Sequence, residues 1–309
     1  MAERSFTIAF VDAETEDGLL HTGALYRPET ARDVAVLFIH GSAMNFYHPF
    51  LRAIARRLAE EGFPTLTANT RGHDLVSRPV GRQEKVVRLD SIPEVPEPLY
   101  GTAFEHLPDV RQDLGAWRAK LVALGFPRLV LMGHSRGAVK VAYYLAHHLA
   151  DHARDGMGEV LGGVLLSPPW LSYSRFLASS RADLFREDLE AARARISEGR
   201  PDALIRVRVP MDYLTTPRAY LDQYGPEERY NVVRLVPKIP VPLLVLSGTK
   251  EVAERFAFDG LPEAMAELGR TKQDLRHESV PDGDHLYTGR EEVAAGHVVR
   301  WLSELALGS

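Results

Sequence analysis

Gly133-His134-Ser135-Arg136-Gly137 follows the apolar run Leu129-Val130-Leu131-Met132 and opens onto Ala138-Val139-Lys140-Val141-Ala142-Tyr143-Tyr144-Leu145-Ala146. The run before it has the composition of a buried strand, and the run after it that of a helix. A serine at the sharp bend between two such elements is a G-x-S-x-G nucleophile elbow. The bend predicts a strained backbone at Ser135, with its hydroxyl above the edge of a sheet. Gly133 and Gly137 lack Cβ atoms, so strand and helix can pass closely there. The helix start places backbone N–H groups and a positive dipole end beside the hydroxyl, where negative charge would develop. Chance alone supplies the five-residue pattern in about one chain in ten of this length. Chance does not supply the flanking strand and helix, so the context carries the reading.

Working outward, strands and helices alternate on both sides of the elbow. Phe6 to Val11 and Leu20 to Tyr26, around Glu14-Thr15-Glu16-Asp17-Gly18, predict an N-terminal hairpin. Val34 to Ile39 is continuously apolar, as in a central strand buried on both faces, and ends in His40-Gly41-Ser42. Phe50, Leu51, Ile54, Ala55 and Leu58 recur at helical spacing between Pro49 and Glu61, and Gly62 stops that helix. Thr65 to Ala68 is the next strand, leading into Asn69-Thr70-Arg71-Gly72-His73-Asp74. Val76 to Pro108, with prolines at 79, 93, 96, 98 and 108, predicts a long surface excursion near the mouth of a site. Val110 to Leu124 is a helix and Gly158 to Leu166 a strand. Alternation breaks from residue 167 to 238, where Arg181 to Glu198 is a charged helix with Leu184, Leu189, Ala192 and Ile196 as its apolar stripe. It resumes with a strand at Val241 to Gly248, a helix near Leu261 to Leu268, a strand near Leu275 to Val280 and a helix from Glu291 to Leu305.

The pattern predicts an α/β fold, a mostly parallel sheet with helices on both faces. Residues 1–166 and 239–309 form its core, and residues 167–238 a helical cap inserted into it. Ligands of such sheets sit outside the carboxyl ends of the strands. His40-Gly41-Ser42, Arg71 to Asp74, Ser135, Ser247 to Glu251 and Gly283-Asp284-His285 all fall there.

Composition narrows the classes. With 309 residues the chain is long enough for a sizeable core, and a net charge of −5 gives no footprint for nucleic acid. It has no cysteine, which excludes disulfides and thiolate metal sites. Its start lacks an apolar signal segment and no run is long enough to span a membrane, so a cytoplasmic protein without membrane contact is expected. Oligomeric state is not legible.

These residues together resemble the α/β-hydrolase superfamily, over nearly the whole chain, with a cap where that family places one. The family's order of serine, acid and histidine implies Ser135, Glu251 and His285, the last in a Gly-Asp-His pattern after the final strand. Most members carry aspartate at the acid, so Glu251 departs from the pattern, and Asp259 is the alternative. The resemblance also implies an oxyanion hole from the backbone N–H groups of Ser42 and Arg136. Gly101 to Glu105 and Tyr220 to Pro226 further resemble a branch that includes siderophore-ester hydrolases.

The chemistry accounts for these residue types. A serine hydroxyl is a weak nucleophile until a neutral imidazole takes its proton, and the acid fixes the imidazole's tautomer. The expected function is a cofactor-free, metal-free serine hydrolase that cleaves a small-molecule carboxylic ester or related acyl compound through an acyl-enzyme. Amidase, thioesterase, C–C hydrolase and acyltransferase reactions share the same triad, and a non-catalytic binder or receptor shares the scaffold. Other polar residues read as structural. His40 would order the oxyanion loop, and Arg71 to Asp74 would form a turn. Tyr143 and Tyr144 would pack, and Arg181 to Glu190 would be a solvated helix face. His148 and His152 stand one helical turn apart, without the glutamate after His148 that a zinc-protease helix needs.

Overall fold

The computed structural model describes residues 5–77, 99–149 and 156–307. Most of the predicted excursion after Val76 lies outside the described residues, as does His152. The strands are β1 (Phe6–Glu14), β2 (Leu20–Pro28), β3 (Val34–Ile39), β4 (Thr65–Ala68), β5 (Arg128–His134), β6 (Glu159–Leu166), β7 (Ile205–Val207), β8 (Tyr213–Thr215), β9 (Leu243–Gly248) and β10 (Leu275–Val280). The helices are α1 (Pro49–Glu60), α2 (Val110–Ala123), α3 (Arg136–His147), α4 (Tyr173–Leu177), α5 (Ala182–Ser197), α6 (Pro217–Tyr224), α7 (Val232–Leu235), α8 (Thr249–Glu254), α9 (Leu261–Gly269) and α10 (Glu291–Leu307).

Eight strands form one sheet in the order β1-β2-β4-β3-β5-β6-β9-β10. The β1–β2 hairpin and the β2–β4 pair are antiparallel; every other neighbouring pair is parallel. After β3 the chain turns to β4 on one side, and β5 then returns to the other side of β3. Crossovers therefore leave in opposite directions from β3 and β5, and the loops at their carboxyl ends part to open a crevice. His40-Gly41-Ser42 and Ser135 stand on the two lips of that crevice.

The apolar runs follow from burial on both faces. Alternate residues of β3 enter different cores: Val34, Val36 and Phe38 pack with α1 and α10, whereas Ala35, Leu37 and Ile39 pack with α2 and α3. β5 does the same, sending Val130 and Met132 to the first core and Leu129 and Leu131 to the second. Helix α3 lies directly against the sheet and is apolar on most of its circumference, as its sequence requires.

The segment between β6 and β9 carries α4 to α7 and a small antiparallel hairpin, β7–β8, absent from the sequence-based expectation. Its three-residue strands are too short for a period-2 pattern to register. Its interior, including Phe176, Phe185, Leu189 and Tyr220, is continuous with the α2–α3 core. The buried stripe of α5 also differs from the expected one. Phe185, Asp188, Leu189 and Ala192 face inward, while Leu184 is half-buried and Ile196 is 39% exposed. Asp188 explains the rotation: its carboxylate accepts from the Arg208 and Val209 amides and from the Arg208 guanidinium. A carboxylate so satisfied can be buried, and it turns the helix to reach its donors.

Candidate active site

The elbow has the strained geometry that the glycines predict. Ser135 sits at φ +56° and ψ −126°, with its amide donating to the Leu166 carbonyl at 2.8 Å. A Cβ on Gly133 would lie 2.2 Å from the Gly137 carbonyl oxygen, and one on Gly137 would lie 2.4 Å from that of His40. Real Cβ atoms do not approach backbone so closely, so both positions admit only glycine. An L-residue at positive φ is costly, and it persists here because these close contacts over-determine it.

The structure brings Ser135, His285 and Glu251 together. His285 Nε2 lies 3.0 Å from Ser135 Oγ, and its Nδ1 lies 3.1 Å from Glu251 Oε2. Glu251 stands in the first turn of α8, and its side chain is wholly buried. Asp259 is elsewhere. Its side chain is 77% exposed and pairs with Arg175 at 3.5 Å.

Glu251 and His285 hang on loops that touch backbone to backbone. A Cβ on Gly248 would meet the Gly283 carbonyl oxygen at 2.2 Å, and the Lys250 and Glu251 amides both donate to that oxygen. Tyr287, two residues past His285, donates to the Leu246 carbonyl and accepts from the Ser167 hydroxyl. The His285 turn is thereby tied to the ends of β6 and β9.

Burial drives both members of the pair toward neutrality. It pushes the Glu251 carboxyl up to about 8, against the opposing pull of the Ser167 hydroxyl and the Arg255 cation. It holds the His285 imidazole down to about 4, assisted by Arg255 and opposed by Asp284. At 3.1 Å the charge of one group bears on the other, so their apparent values belong to the pair.

Ser42 and Arg136 border the same pocket, a cavity of about 290 Å³ that also touches Ser135 and His285. Arg136 opens α3, so its N–H has no intrahelical acceptor. The Ser42 loop is fixed from below: the Ala43 amide donates to Thr102 Oγ1 at 2.8 Å, and that hydroxyl donates on to the Gly72 carbonyl. His40 orders the same loop. Its Nε2 accepts from the Thr70 amide, so its Nδ1–H donates to the Gly41 carbonyl at 2.8 Å. Burial and the nearby Lys140 charge keep its imidazole neutral. The Arg71 turn is held from outside, by Asp113 and Asp17. Tyr144 packs in the core, where its hydroxyl accepts from Arg118.

Sequence reasoning missed three side chains here. His134 Nε2–H donates to the His285 carbonyl at 2.7 Å, and its ring lies between those of Phe50 and His285. It holds the base's backbone to the elbow strand. Lys140 and Glu105 form a buried pair at 2.5 Å behind the elbow, with the Arg136 guanidinium 3.7 Å from the other Glu105 oxygen. A lysine on the apolar face of a predicted helix was the available signal for that cluster.

Fold and site together define an α/β hydrolase. The model of the alpha/beta hydrolase family matches residues 36–296, and the chain belongs to that family. Among solved structures, Est1E from Butyrivibrio proteoclasticus with ferulic acid bound is similar at 16% identity and a TM-score of 0.61, covering 96% of this chain and 98% of that one. The Pyrococcus furiosus esterase Pf2001 aligns at 17% identity and a TM-score of 0.56, over 97% of this chain and 93% of that one. Proline iminopeptidase from Mycobacterium smegmatis aligns at 16% identity and a TM-score of 0.57, over 97% and 99%. At such identities the likeness is one of fold. No curated protein matches the sequence. Among the described residues no helix is long and apolar enough to cross a membrane, and no group of three or more His, Asp or Glu side chains could hold a metal ion.

Proposed function

We propose that the chain is a serine hydrolase that cleaves carboxylic esters through an acyl-enzyme, with Ser135 as nucleophile, His285 as base and Glu251 as acid. The observation that carries this reading is the unbroken contact from Ser135 Oγ through His285 to the buried Glu251 carboxylate. In the first half-reaction Oγ bonds to the ester carbonyl carbon as its proton passes to His285 Nε2. The C–O bond then breaks, and the same proton leaves with the alcohol. Water repeats the cycle: its oxygen bonds to the acyl carbon as its proton passes to His285, the acyl C–Oγ bond then breaks, the proton returns to Ser135 Oγ, and the carboxylic acid departs. The Ser42 and Arg136 amides are the donors for the oxyanion at each tetrahedral stage, each contributing about 2.7–4 kcal/mol. The reaction balances with water as the only co-reactant.

A fluorophosphonate probe tests the reading directly. Folded wild-type protein is expected to take up one label, on the peptide that contains Ser135. A protein that binds small esters yet neither labels nor turns over activated esters would be a binder built on a hydrolase scaffold.

The pair's protonation sets a pH prediction. The competent form has an ionised Glu251 and a neutral His285, and one proton taken up by either member abolishes it. Activity is therefore present at high pH and lost as pH falls through the pair's upper apparent value. That limb of kcat/KM is expected between the ordinary 6.5 of histidine and the carboxyl's value of about 8. In Glu251→Gln the titrating carboxyl is gone, and the limb of the residual rate should move below 6.5, toward His285's own depressed value. An unmoved limb in that variant would sever the coupling between the two residues.

A further inference from the structure

We propose that the pocket over Ser135 selects esters that carry a carboxylate, recognised by Arg255 and Arg181 at its walls and by Arg136 at its floor. The inference rests on the serine-hydrolase reading and specifies its substrate class.

Three arginines line the pocket against one acidic residue, Glu254, in a chain whose overall charge is −5. The positive excess is thus local to the pocket. Arg255 makes no ion pair or side-chain hydrogen bond among the described residues, and its charge is felt by both Glu251 and His285. Arg181 is oriented but not neutralised: it donates to the Pro210 and Arg208 carbonyls at 2.7 and 2.6 Å, and to no carboxylate among the described residues.

The floor repeats the imbalance in a drier setting. Arg136 and Lys140 are both buried, and Glu105 is the carboxylate they share, closer to Lys140. Arg136 donates to Gln223 Oε1 at 2.7 Å and to the Thr102 carbonyl at 3.3 Å, neither of them charged, and the Gln223 amide nitrogen is buried without an acceptor among the described residues. Walls of Leu171, Phe256 and Phe258 keep the surroundings apolar. Under-neutralised cations in a low-dielectric pocket are stabilised by an incoming anion far more than by a neutral dipole. A carboxylate fits the guanidinium fork with two parallel hydrogen bonds.

Two matched pairs of substrates locate the charge. 4-Acetoxybenzoate against its methyl ester places a carboxylate on the alcohol side. Mono-p-nitrophenyl adipate against its methyl ester places one on the acyl side. At low ionic strength the anionic member of at least one pair should show a kcat/KM about tenfold or more above its neutral partner, the size of one charge-assisted hydrogen bond. That ratio should shrink in about 0.5 M salt and fall about tenfold in Arg255→Gln, an exposed position where folding is retained. Neutral esters equal to or better than the anionic ones in both pairs would overturn the proposal, as would a preference untouched by salt and by Arg255→Gln. If no ester of either pair is hydrolysed, the serine-hydrolase reading fails separately. Calorimetric binding of the four compounds to Ser135→Ala then decides the anion preference. Carboxylates bound about tenfold tighter than their methyl esters support it, and equal binding refutes it.

Discussion

Ser135→Ala is expected to fold as the wild type does and to lose on the order of 10⁴–10⁶ in kcat toward an activated ester. The substitution deletes the single atom through which the proposed reaction begins. Ser135 Oγ bonds to His285 Nε2 and to no other group among the described residues, and its removal takes away a single atom beside the pocket. Alanine keeps the Cβ and hence the same cost at φ +56°, leaving backbone strain unchanged. What survives in the variant is the oxyanion donors and the pocket, which explains why the expected loss is not total. The measurement pairs steady-state kinetics with a thermal melt. A folded variant that hydrolyses the ester near the wild-type rate would remove Ser135 from the mechanism and with it the whole proposed triad.

Glu251→Gln is expected to lose on the order of 10³–10⁴ in kcat with the fold intact, while Asp259→Asn loses less than about tenfold. The asymmetry follows from position. Glu251 is buried with Oε2 on His285 Nδ1, so its carboxylate accepts the Nδ1–H and leaves Nε2 free to take the serine proton. An amide in its place can donate to Nδ1 instead, which puts the hydrogen on Nε2 and disables the base. Asp259 faces solvent and Arg175, and an exposed ion pair of that kind contributes little even to stability. The reverse ranking, on folded variants and the same ester, would transfer the role to Asp259.

Much of the fold was legible because each central strand is buried on both faces and so reads as an unbroken apolar run, Val34 to Ile39 being the clearest case. The elbow was legible for a different reason: a Cβ at Gly133 or Gly137 would lie 2.2 or 2.4 Å from a carbonyl oxygen, so both positions are forced to glycine and the constraint shows in the sequence. The acid was harder to read. Glu251 and Asp259 lie eight residues apart beyond the same strand, and what separates them in space is the short helix α8, which carries one over the site while the chain beyond it carries the other to the surface. The rotation of α5 was invisible for a related reason. Apolarity alone favoured Ile196, whereas the buried Asp188 is decided by amides twenty residues away at Arg208 and Val209. His134 likewise acts on a carbonyl 151 positions along the chain, and no local pattern records such a partnership.

The contact between Gly248 and Gly283 has a mechanical consequence. Because the Glu251 amide is bonded to the Gly283 carbonyl, the loops that carry Glu251 and His285 are joined backbone to backbone, whereas Ser135 stands between β5 and α3. A change in one of these loops is therefore felt by the other through the Gly283 carbonyl. The link from these loops to the elbow is made by side chains, where His285 Nε2 meets Ser135 and His134 latches the His285 carbonyl. Descendants of this chain can therefore drift in the shape of the β9 and β10 loops together, but not in one loop alone.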